Sequence, residues 1–419
     1  MAVLVDGDGF TKKVDGWNID WDVAATWPLE RSSISTSNRF FVNTMPRSDR
    51  PETHHAFELA ARISGFEILH RDEKQGESSR SNGYSMGSRA LIGAALGYLA
   101  PHIDVAVVHD NCEETTNAIK FVLNHHAQIR VIMATSKPCD AARILESQDP
   151  RFSIIDPNKH RGTLEFTGNS EKRPEIFRQR ILIGNQARGT AKIIDGASFT
   201  NIARSISQAD TIFDSKKLCK WTPDGCPPRT ESHYVSSDRG VISTDKKLAM
   251  RIWKGEGWAV KAIKIGNIGG RLKAMDDGLI GAMIANLASR FSHVVLFSAD
   301  RDFIPVTKLL SKRIGTKFFS VAPPKLRGGR NLTSSELINN PFSQFISAFG
   351  LPERVYYAPE SIYPGHLSKL KLMQSGPSGR PRIRERRQEI RSQFVNNLLG
   401  LIESLKVQYP PAEESQILA

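Results

Sequence analysis

The sequence predicts an α/β protein in which one pattern of strands and helices occurs twice, followed by a basic extension. Two observations support this prediction. Short apolar runs alternate with amphipathic segments, as in a parallel sheet covered by helices on both faces. The order of these segments then repeats from about residue 190. A change of composition beyond residue 350 marks the extension.

The first half begins with an apolar strand, MAVLVD, that runs into a glycine-containing turn at Asp6. Hydrophobic periodicity then predicts four further strands and three helices. In chain order these are the strand RFFVNTM, the helix HHAFELAARISGF, the strand EILHRD, the helix SRALIGAALGYLA, the strand DVAVVHD, the helix TTNAIKFVLNHHA and the strand IRVIMAT. The alternation predicts a parallel sheet.

The same order returns in the second half. Its segments are AKIIDGASF, SHYVSSD, DKKLAMRIWKGEGW, AVKAIKIG, DDGLIGAMIANLA, HVVLFSADRD, IPVTKLLSKRI and TKFFSVAPP. Two pairs of segments are similar in sequence: VDGDGF with IDGASF, and RALIGAALGYLA with GLIGAMIANLA. They indicate an internal repeat. We therefore predict domains at residues 1–185 and 186–350, with GNSEKRPEIFRQR bridging them. The glycine-rich segment IGNIGG is predicted to be a loop.

The extension, residues 351–419, passes through a stretch with Gly, Pro and Ser into RPRIRERRQEIR, which has six arginines against two glutamates. This composition predicts a linker followed by a basic helix. The helix could follow a phosphate backbone, or it could be solvated, or dock on a protein partner or a second copy of the chain. The predicted nucleic-acid contacts are Lys273 in the second half and Arg380, Arg382, Arg384, Arg386 and Arg387 in the extension.

The charge balance favours a polyanionic partner. The chain carries 57 Lys and Arg against 44 Asp and Glu, a formal net charge of +13. Basic side chains gain affinity for phosphate backbones by displacing counterions, so we expect a nucleic acid; a merely basic surface is the alternative. Four scattered cysteines, no window of membrane-spanning length and no signal-peptide pattern predict a cytoplasmic protein without a membrane partner.

Acidic residues stand where strands and helices of the second half meet. Asp195 ends its first strand, and Asp276 begins a helix together with the next residue, also an aspartate. Asp300 and Asp302 follow a later strand in the run FSADRDF. Ligands of open parallel sheets bind beyond the carboxyl ends of the strands, so these side chains can converge there. Converging carboxylates favour Mg²⁺ or Mn²⁺, which can activate a water against a phosphodiester.

Each of these acids also has an ordinary structural explanation. An Asp at the end of a strand commonly forms a turn, and a pair of Asp before a helix commonly caps it and complements its dipole. Coincidence explains three such placements in one domain less well than a shared site does. The metal site is therefore the favoured hypothesis.

Four segments of the second half form a recognisable pattern: IIDGASF, KAMDDGL, VVLFSADRDFIPVTKLL and TKFFSVAPP. Through them, roughly residues 191–349 resemble an NYN domain, a branch of the PIN-like nuclease superfamily; S-x-D-x-D-F-x-P is the most specific part. The resemblance implies a three-layer domain with a central parallel sheet and metal-dependent cleavage of RNA. It also implies that the metal-binding catalytic acids are Asp195, Asp276, Asp300 and Asp302.

The first half resembles the same domain but lacks part of the acid pattern. Asp6 keeps the first position, whereas Gly87 and Ser88 stand where the second half has its two helix-start acids. We expect a degenerate copy, because a missing carboxylate lowers metal affinity. The alternative is that a working site is rebuilt from Asp6, Asp8, Asp110 and Glu113.

Together these features predict a Mg²⁺- or Mn²⁺-dependent endoribonuclease. Its second domain would perform the chemistry, while the first domain and the basic extension hold the RNA. The alternative is a non-catalytic nucleic-acid-binding or scaffold protein whose acid clusters are vestigial. The two hypotheses differ in whether a divalent ion binds and whether turnover depends on it.

Overall fold

The structure, a computed structural model, describes the parts of the chain that form the two predicted halves. The described residues are 1–7, 17, 19–29, 38–43, 52–70, 87–110, 113–165, 187–196, 198, 212–213, 215–238, 250, 253–268, 271–274, 276–323, 333–348, 351 and 356–357. Both sheets belong to one compact unit, Met1–Ile242 together with Ile252–Tyr357. The basic extension lies outside the described residues, so its predicted helix stays a prediction.

Within its described residues, the first half has six strands and six short or medium α-helices. The strands are β1 (Ala2–Asp6), β2 (Asn38–Asn43), β3 (Glu67–His70), β4 (Val105–His109), β5 (Arg130–Ala134) and β6 (Phe152–Ile155). The helices are α1 (Trp21–Ala24), α2 (Glu52–Ile63), α3 (Gly87–Leu99), α4 (Glu113–His125), α5 (Asp140–Gln148) and α6 (Arg161–Leu164). All six strands are parallel, in the order β3-β2-β1-β4-β5-β6.

The second half repeats this sheet. Its strands are β7 (Ala187–Asp195), β8 (Ile212–Phe213), β9 (Arg229–Asp238), β10 (Ala259–Ile268), β11 (Arg271–Ala274), β12 (Phe291–Phe297), β13 (Lys317–Ala322), β14 (Gln344–Ser347) and β15 (Tyr356–Tyr357). Its helices are α7 (Ser215–Lys220), α8 (Asp277–Arg290), α9 (Ile304–Ile314) and α10 (Ser335–Ile338). The order is β11-β10-β9-β7-β12-β13-β14, with β11 antiparallel to β10, while β8 and β15 pair separately. The predicted α/β class with two parallel sheets is confirmed.

Some elements differ from the sequence-based prediction. The segment IGNIGG is largely sheet rather than loop, because Gly266 pairs with Lys273 and Ile268 with Arg271 in the hairpin of β10 and β11. The edge strands β6 and β14 were not predicted. Among the helices that the structure describes, none has the length and apolar composition needed to cross a membrane.

One layer of helices lies between the two sheets. A single core cluster combines apolar side chains of α3 and α4 with those of α8 and α9 and with the inner faces of both sheets. Separate clusters cover the outer faces, one beneath α1 and α2 and the other beneath α7. The two halves are therefore joined by a shared core.

Glycines let α3 and α8 pack backbone against backbone. A Cβ added to Gly93 would lie 2.0 Å from the carbonyl oxygen of Gly278, and one added to Gly281 would lie 2.0 Å from that of Ala90. No side chain larger than hydrogen fits such an approach. The contacts are reciprocal, as in a two-fold symmetric interface, so Gly93 matches Gly281 and Ala90 matches Gly278.

This match corrects the sequence alignment of the two helix starts. Counting back from the matched glycines, Ser88 and Arg89 stand at the positions of Asp276 and Asp277. The sequence-based assignment of Gly87 and Ser88 to these positions is wrong by one residue. The first half therefore carries a cation where the second half has its second helix-start acid.

Candidate active site

The acids of the second half lie where its strand order reverses. The chain leaves β7 toward β9 and β10 on one side and returns to β12 on the other, so the connections diverge beyond these strand ends. Asp195 is the last residue of β7, and Asp300 comes soon after β12. Asp276 directly precedes α8. The topology thus brings three elements with acids to one edge of the sheet.

Asp195 is buried at this edge, and two hydrogen bonds fix its carboxylate. The Oγ of Ser298 donates to Oδ2 at 2.7 Å, and the backbone N–H of Ser198 donates to Oδ1 at 3.1 Å. Burial, followed by the charges of Asp276 and Asp300, raises the pKa of Asp195 to about 7, although the hydrogen bonds act in the opposite direction. Three acids from separate elements therefore share one electrostatic environment.

Asp276 occupies the N-cap position of α8 but does not act as a cap. Its side chain makes no capping hydrogen bond to the helix, and it is only 2% exposed. The ordinary structural explanation for this acid, a helix cap, does not apply. The neighbouring Asp277, the first residue of the helix, is also buried.

Asp300 and Asp302 lie in the short 3₁₀ turn that follows β12. The Oδ1 of Asp300 accepts a hydrogen bond from the N–H of Asp302 at 2.9 Å, so this carboxylate does cap the turn. The N–H of Asp300 donates to the Oγ of Ser298 at 3.1 Å. Ser298 therefore links Asp300 to Asp195. Sequence reasoning assigned it no role, although it is the first residue of the S-x-D-x-D-F-x-P segment.

These acids are close together but are not arranged as a finished ligand set. Across the described part of the chain, no three His, Cys, Asp or Glu side chains stand together so that they could hold a metal ion. Hydrogen bonds from serine and backbone groups direct Asp195 and Asp300 instead. The donors are nevertheless all carboxylate oxygens, which suit hard cations such as Mg²⁺ and Mn²⁺. A cation would also offset the burial and the neighbouring charges that together raise the pKa of Asp195.

The first half keeps two buried acids at its own strand ends. Asp6 ends β1, and Asp110 follows β4. The Oγ1 of Thr115 donates a short hydrogen bond to Oδ2 of Asp110. Glu113 is the first residue of α4, and Asp8 lies outside the described residues. Whether these four acids could form a working site therefore stays a prediction.

A partly buried ion pair distinguishes the first half from the second. Glu114 is fully buried, and its Oε1 lies 3.4 Å from Nη1 of Arg89. Glu114 and Asp302 are each the fifth residue after their strands, β4 and β12, and Arg89 matches Asp277. The first half thus has an Arg–Glu pair where the second half has two buried aspartates. Aligning ALIG with GLIG would have matched Arg89 with Asp277, but it does not reveal the contact of Arg89 with Glu114.

The structure does not describe the side chains of the predicted nucleic-acid contacts. Lys273 belongs to β11 and pairs with Gly266, at the edge of the second sheet. Arg380, Arg382, Arg384, Arg386 and Arg387 lie outside the described residues. Both sets of contacts stay predictions.

Comparison with known proteins assigns no family to this chain. No family model and no curated protein matches it. Among solved structures, it is similar to a protein of unknown function from Vibrio parahaemolyticus RIMD 2210633, at 17% identity and a TM-score of 0.33, over 42% of this chain and 100% of that one. A ketoreductase domain from the bacillaene assembly line shares 11% identity at a TM-score of 0.20, over 74% and 86% of the two chains. TM-scores this low support no inference about fold or activity.

Proposed function

We propose that this chain is a Mg²⁺- or Mn²⁺-dependent endoribonuclease of the PIN-like type, with its active site at the acid cluster of the second half. One observation carries the proposal. Burial and the charges of Asp276 and Asp300 raise the pKa of Asp195 to about 7. Three acids from two strand ends and a helix start are therefore held in electrostatic contact at the edge where α/β sheets bind ligands.

Such a cluster is unfavourable for folding, and a function would account for its presence. Burying a carboxylate beside two others disfavours the ionised form, so the fold loses stability at neutral pH. Groups perturbed in this way are concentrated at functional sites. The matching positions in the first half carry fewer acids: Ser88 stands in place of Asp276, and the Arg89–Glu114 ion pair stands in place of Asp277 and Asp302. The contrast supports the assignment of chemistry to residues 186–350 and of a degenerate copy to residues 1–185.

The proposed roles follow from position and charge. Asp195, Asp276 and Asp300 would hold the ion, with Asp302 as a further ligand or a holder of bound water. When bound, Mg²⁺ or Mn²⁺ would neutralise charge developing on the phosphodiester and lower the pKa of a bound water. Ser298 would keep Oδ2 of Asp195 in place. Because the pKa of Asp195 is raised to about 7, part of this carboxyl population carries a proton at neutral pH, and this proton must leave when a cation binds.

The full-length protein and labelled single-stranded RNA provide the test. We expect cleavage with Mn²⁺ or Mg²⁺ and none with EDTA. Asp195→Asn should lower the cleavage rate by about 100-fold or more, because an amide of the same shape does not supply the charge. Asp6→Asn is the matched control, since Asp6 ends the equivalent strand of the first half. This variant should cleave at nearly the wild-type rate.

Direct metal binding separates the possible failures. Paramagnetic resonance of Mn²⁺ should show binding to the wild type and to Asp6→Asn, and much weaker binding to Asp195→Asn. Wild-type protein that neither binds Mn²⁺ nor cleaves RNA would contradict the proposal and favour the non-catalytic binding or scaffold protein. Equal losses in the two variants would mean that each half has a working site or that both halves contribute to one site.

A further inference from the structure

A groove opens between the first sheet and helix α9 of the second half. Its cavity has a volume of about 240 Å³. The apolar floor includes Leu69 of the edge strand β3, Leu91 of α3 and Leu309 of α9. Helix α9 begins two residues after Asp302. The groove therefore runs along a helix that begins beside the acid cluster.

Cations line the rim of this groove. Lys308, Lys312 and Arg313 share the face of α9 that borders the cavity. Arg313 forms an ion pair with Glu67 of β3, which ties α9 to the edge of the first sheet. The Nζ atoms of Lys308 and Lys312 lie 6.0 Å and 5.3 Å from the ring centroid of Phe342. Both ammonium groups therefore lie within cation–π distance of one aromatic ring.

The place that corresponds to the groove in the repeat, between β10 of the second sheet and α4 of the first half, is filled by side chains. By strand register, Leu69 of β3 matches Lys261 of β10. Leu309 and Phe121 are each the twelfth residue after their strands, β12 and β4. The Nζ of Lys261 lies 4.4 Å from the ring centroid of Phe121. Two larger side chains therefore meet where the groove has two leucines, so the repeated fold alone does not account for the groove.

We propose that the groove binds a segment of single-stranded RNA, with a base on the apolar floor and phosphates beside Lys308 and Lys312. The choice of RNA rests on the proposed function. An apolar surface bordered by cations complements the two faces of a nucleotide strand, and the chain carries a net charge of +13. The cavity is smaller than the roughly 300–1,000 Å³ of typical small-molecule sites, which favours one base over a cofactor.

The groove also suggests how the site of cleavage is chosen. At a rise of 1.5 Å per residue along the helix axis, Lys308 lies about 9 Å and Lys312 about 15 Å from Asp302. An RNA segment bound by both lysines would thus reach the acid cluster within a few nucleotides of the bound base. The bound base would set which phosphodiester reaches the acid cluster.

Binding of a short fluorescent oligouridine, measured by anisotropy in EDTA, tests this proposal without metal or turnover. Lys308→Glu and Lys312→Glu should each weaken binding about fivefold or more. Each should also reduce the slope of log affinity against log salt by about 0.7 for every phosphate that the variant no longer neutralises. The matched control is Lys120→Glu, which makes the same charge change at the exposed α4 position that matches Lys308. This control should bind within about twofold of the wild type.

Two results would overturn the proposal. Equal losses for Lys120→Glu and the groove variants would mean that overall charge, not the groove, holds the RNA. Wild-type protein that binds polyglutamate as tightly as oligouridine, and loses both ligands through Lys312→Glu, would assign the groove to an acidic peptide. Circular dichroism of each variant would check that it is folded. If the groove variants bind oligouridine as tightly as the wild type does, metal-dependent cleavage can still occur. If the wild type does not cleave RNA, it can still bind oligouridine in EDTA. The two proposals can therefore fail separately.

Discussion

Replacing Asp195 by asparagine should change the pH dependence of stability in a defined direction. The pKa of Asp195 is about 7 in the folded protein, compared with an ordinary value of 3.8. The fold therefore favours the protonated carboxyl. The stability that this group contributes is fully present below pH 3.8 and is lost as the pH rises to about 7. Asparagine does not ionise, so Asp195→Asn escapes this loss.

The magnitude follows from the two pKa values. A rise from 3.8 to about 7 corresponds to about 4 kcal/mol of unfolding free energy, of which about 2 kcal/mol is lost between pH 5 and pH 7. Ser298 and Ser198 donate hydrogen bonds to the carboxylate, and the amide keeps only one acceptor oxygen, which costs about 1 kcal/mol. Asp195→Asn should therefore be about 3 kcal/mol more stable than the wild type at pH 8 and slightly less stable at pH 4.

Urea unfolding of both proteins between pH 4 and pH 8, in EDTA, measures this difference. Asp149→Asn is the control, because a hydrogen bond from Arg151 lowers the pKa of Asp149. The stabilising effect of Asp149 is lost only as the pH falls below about 4, so its difference from the wild type should be flat from pH 5 to pH 8. A flat difference for Asp195→Asn would refute the reasoning. Saturating Mn²⁺ should stabilise the wild type and not Asp195→Asn.

Further predictions concern packing, a buried lysine and metal affinity. Gly93→Ala should destabilise the protein by about 3 kcal/mol or more, because its Cβ would meet the Gly278 backbone; Gly162→Ala, with open space around it, should be nearly neutral in the same urea assay. Lys192→Met should cost about 2 kcal/mol or more, since the fully buried Nζ donates to two carbonyls of α7, at 2.8 Å and 2.7 Å. An unchanged urea midpoint would contradict either prediction. Mn²⁺ affinity, measured by calorimetry, should fall about tenfold per pH unit below 7 as protons compete for Asp195, and a pH-independent affinity would exclude that competition.

The alternation of strands and helices could be predicted because burial leaves a periodic trace in the sequence. The segment IPVTKLLSKRI coincides with α9, whose end is marked by Gly315 in the left-handed conformation, at φ 81°. Strands β6 and β14 were missed because each is a four-residue edge strand with only one buried residue or none among its four. The hairpin of β10 and β11 was missed because its glycines favour a loop in sequence.

The acids of the candidate site could be predicted because aspartates at strand ends stand out from apolar runs. The side chains that interact with these acids, or that replace them in the first half, could not be predicted. Ser298 acquires its role only when β7 and β12 lie side by side, which brings its Oγ to Asp195. The Arg89–Glu114 ion pair joins residues from two helices, and its meaning depends on a match between halves that the glycine contacts fix. Tertiary packing creates both relationships, and sequence spacing does not encode them.

The first half contributes to the candidate site through the position of α8. A Cβ added to Gly278, two residues after Asp276, would lie 2.6 Å from the carbonyl oxygen of Glu114 in α4. The start of α8 therefore rests directly on the backbone of the first half. Glu114 is held in turn by Arg89, so its buried carboxylate is paired with a cation. A copy that lacks the full acid pattern can thus still fix Asp276 against Asp195, because the shared helical layer transmits its packing to the second half.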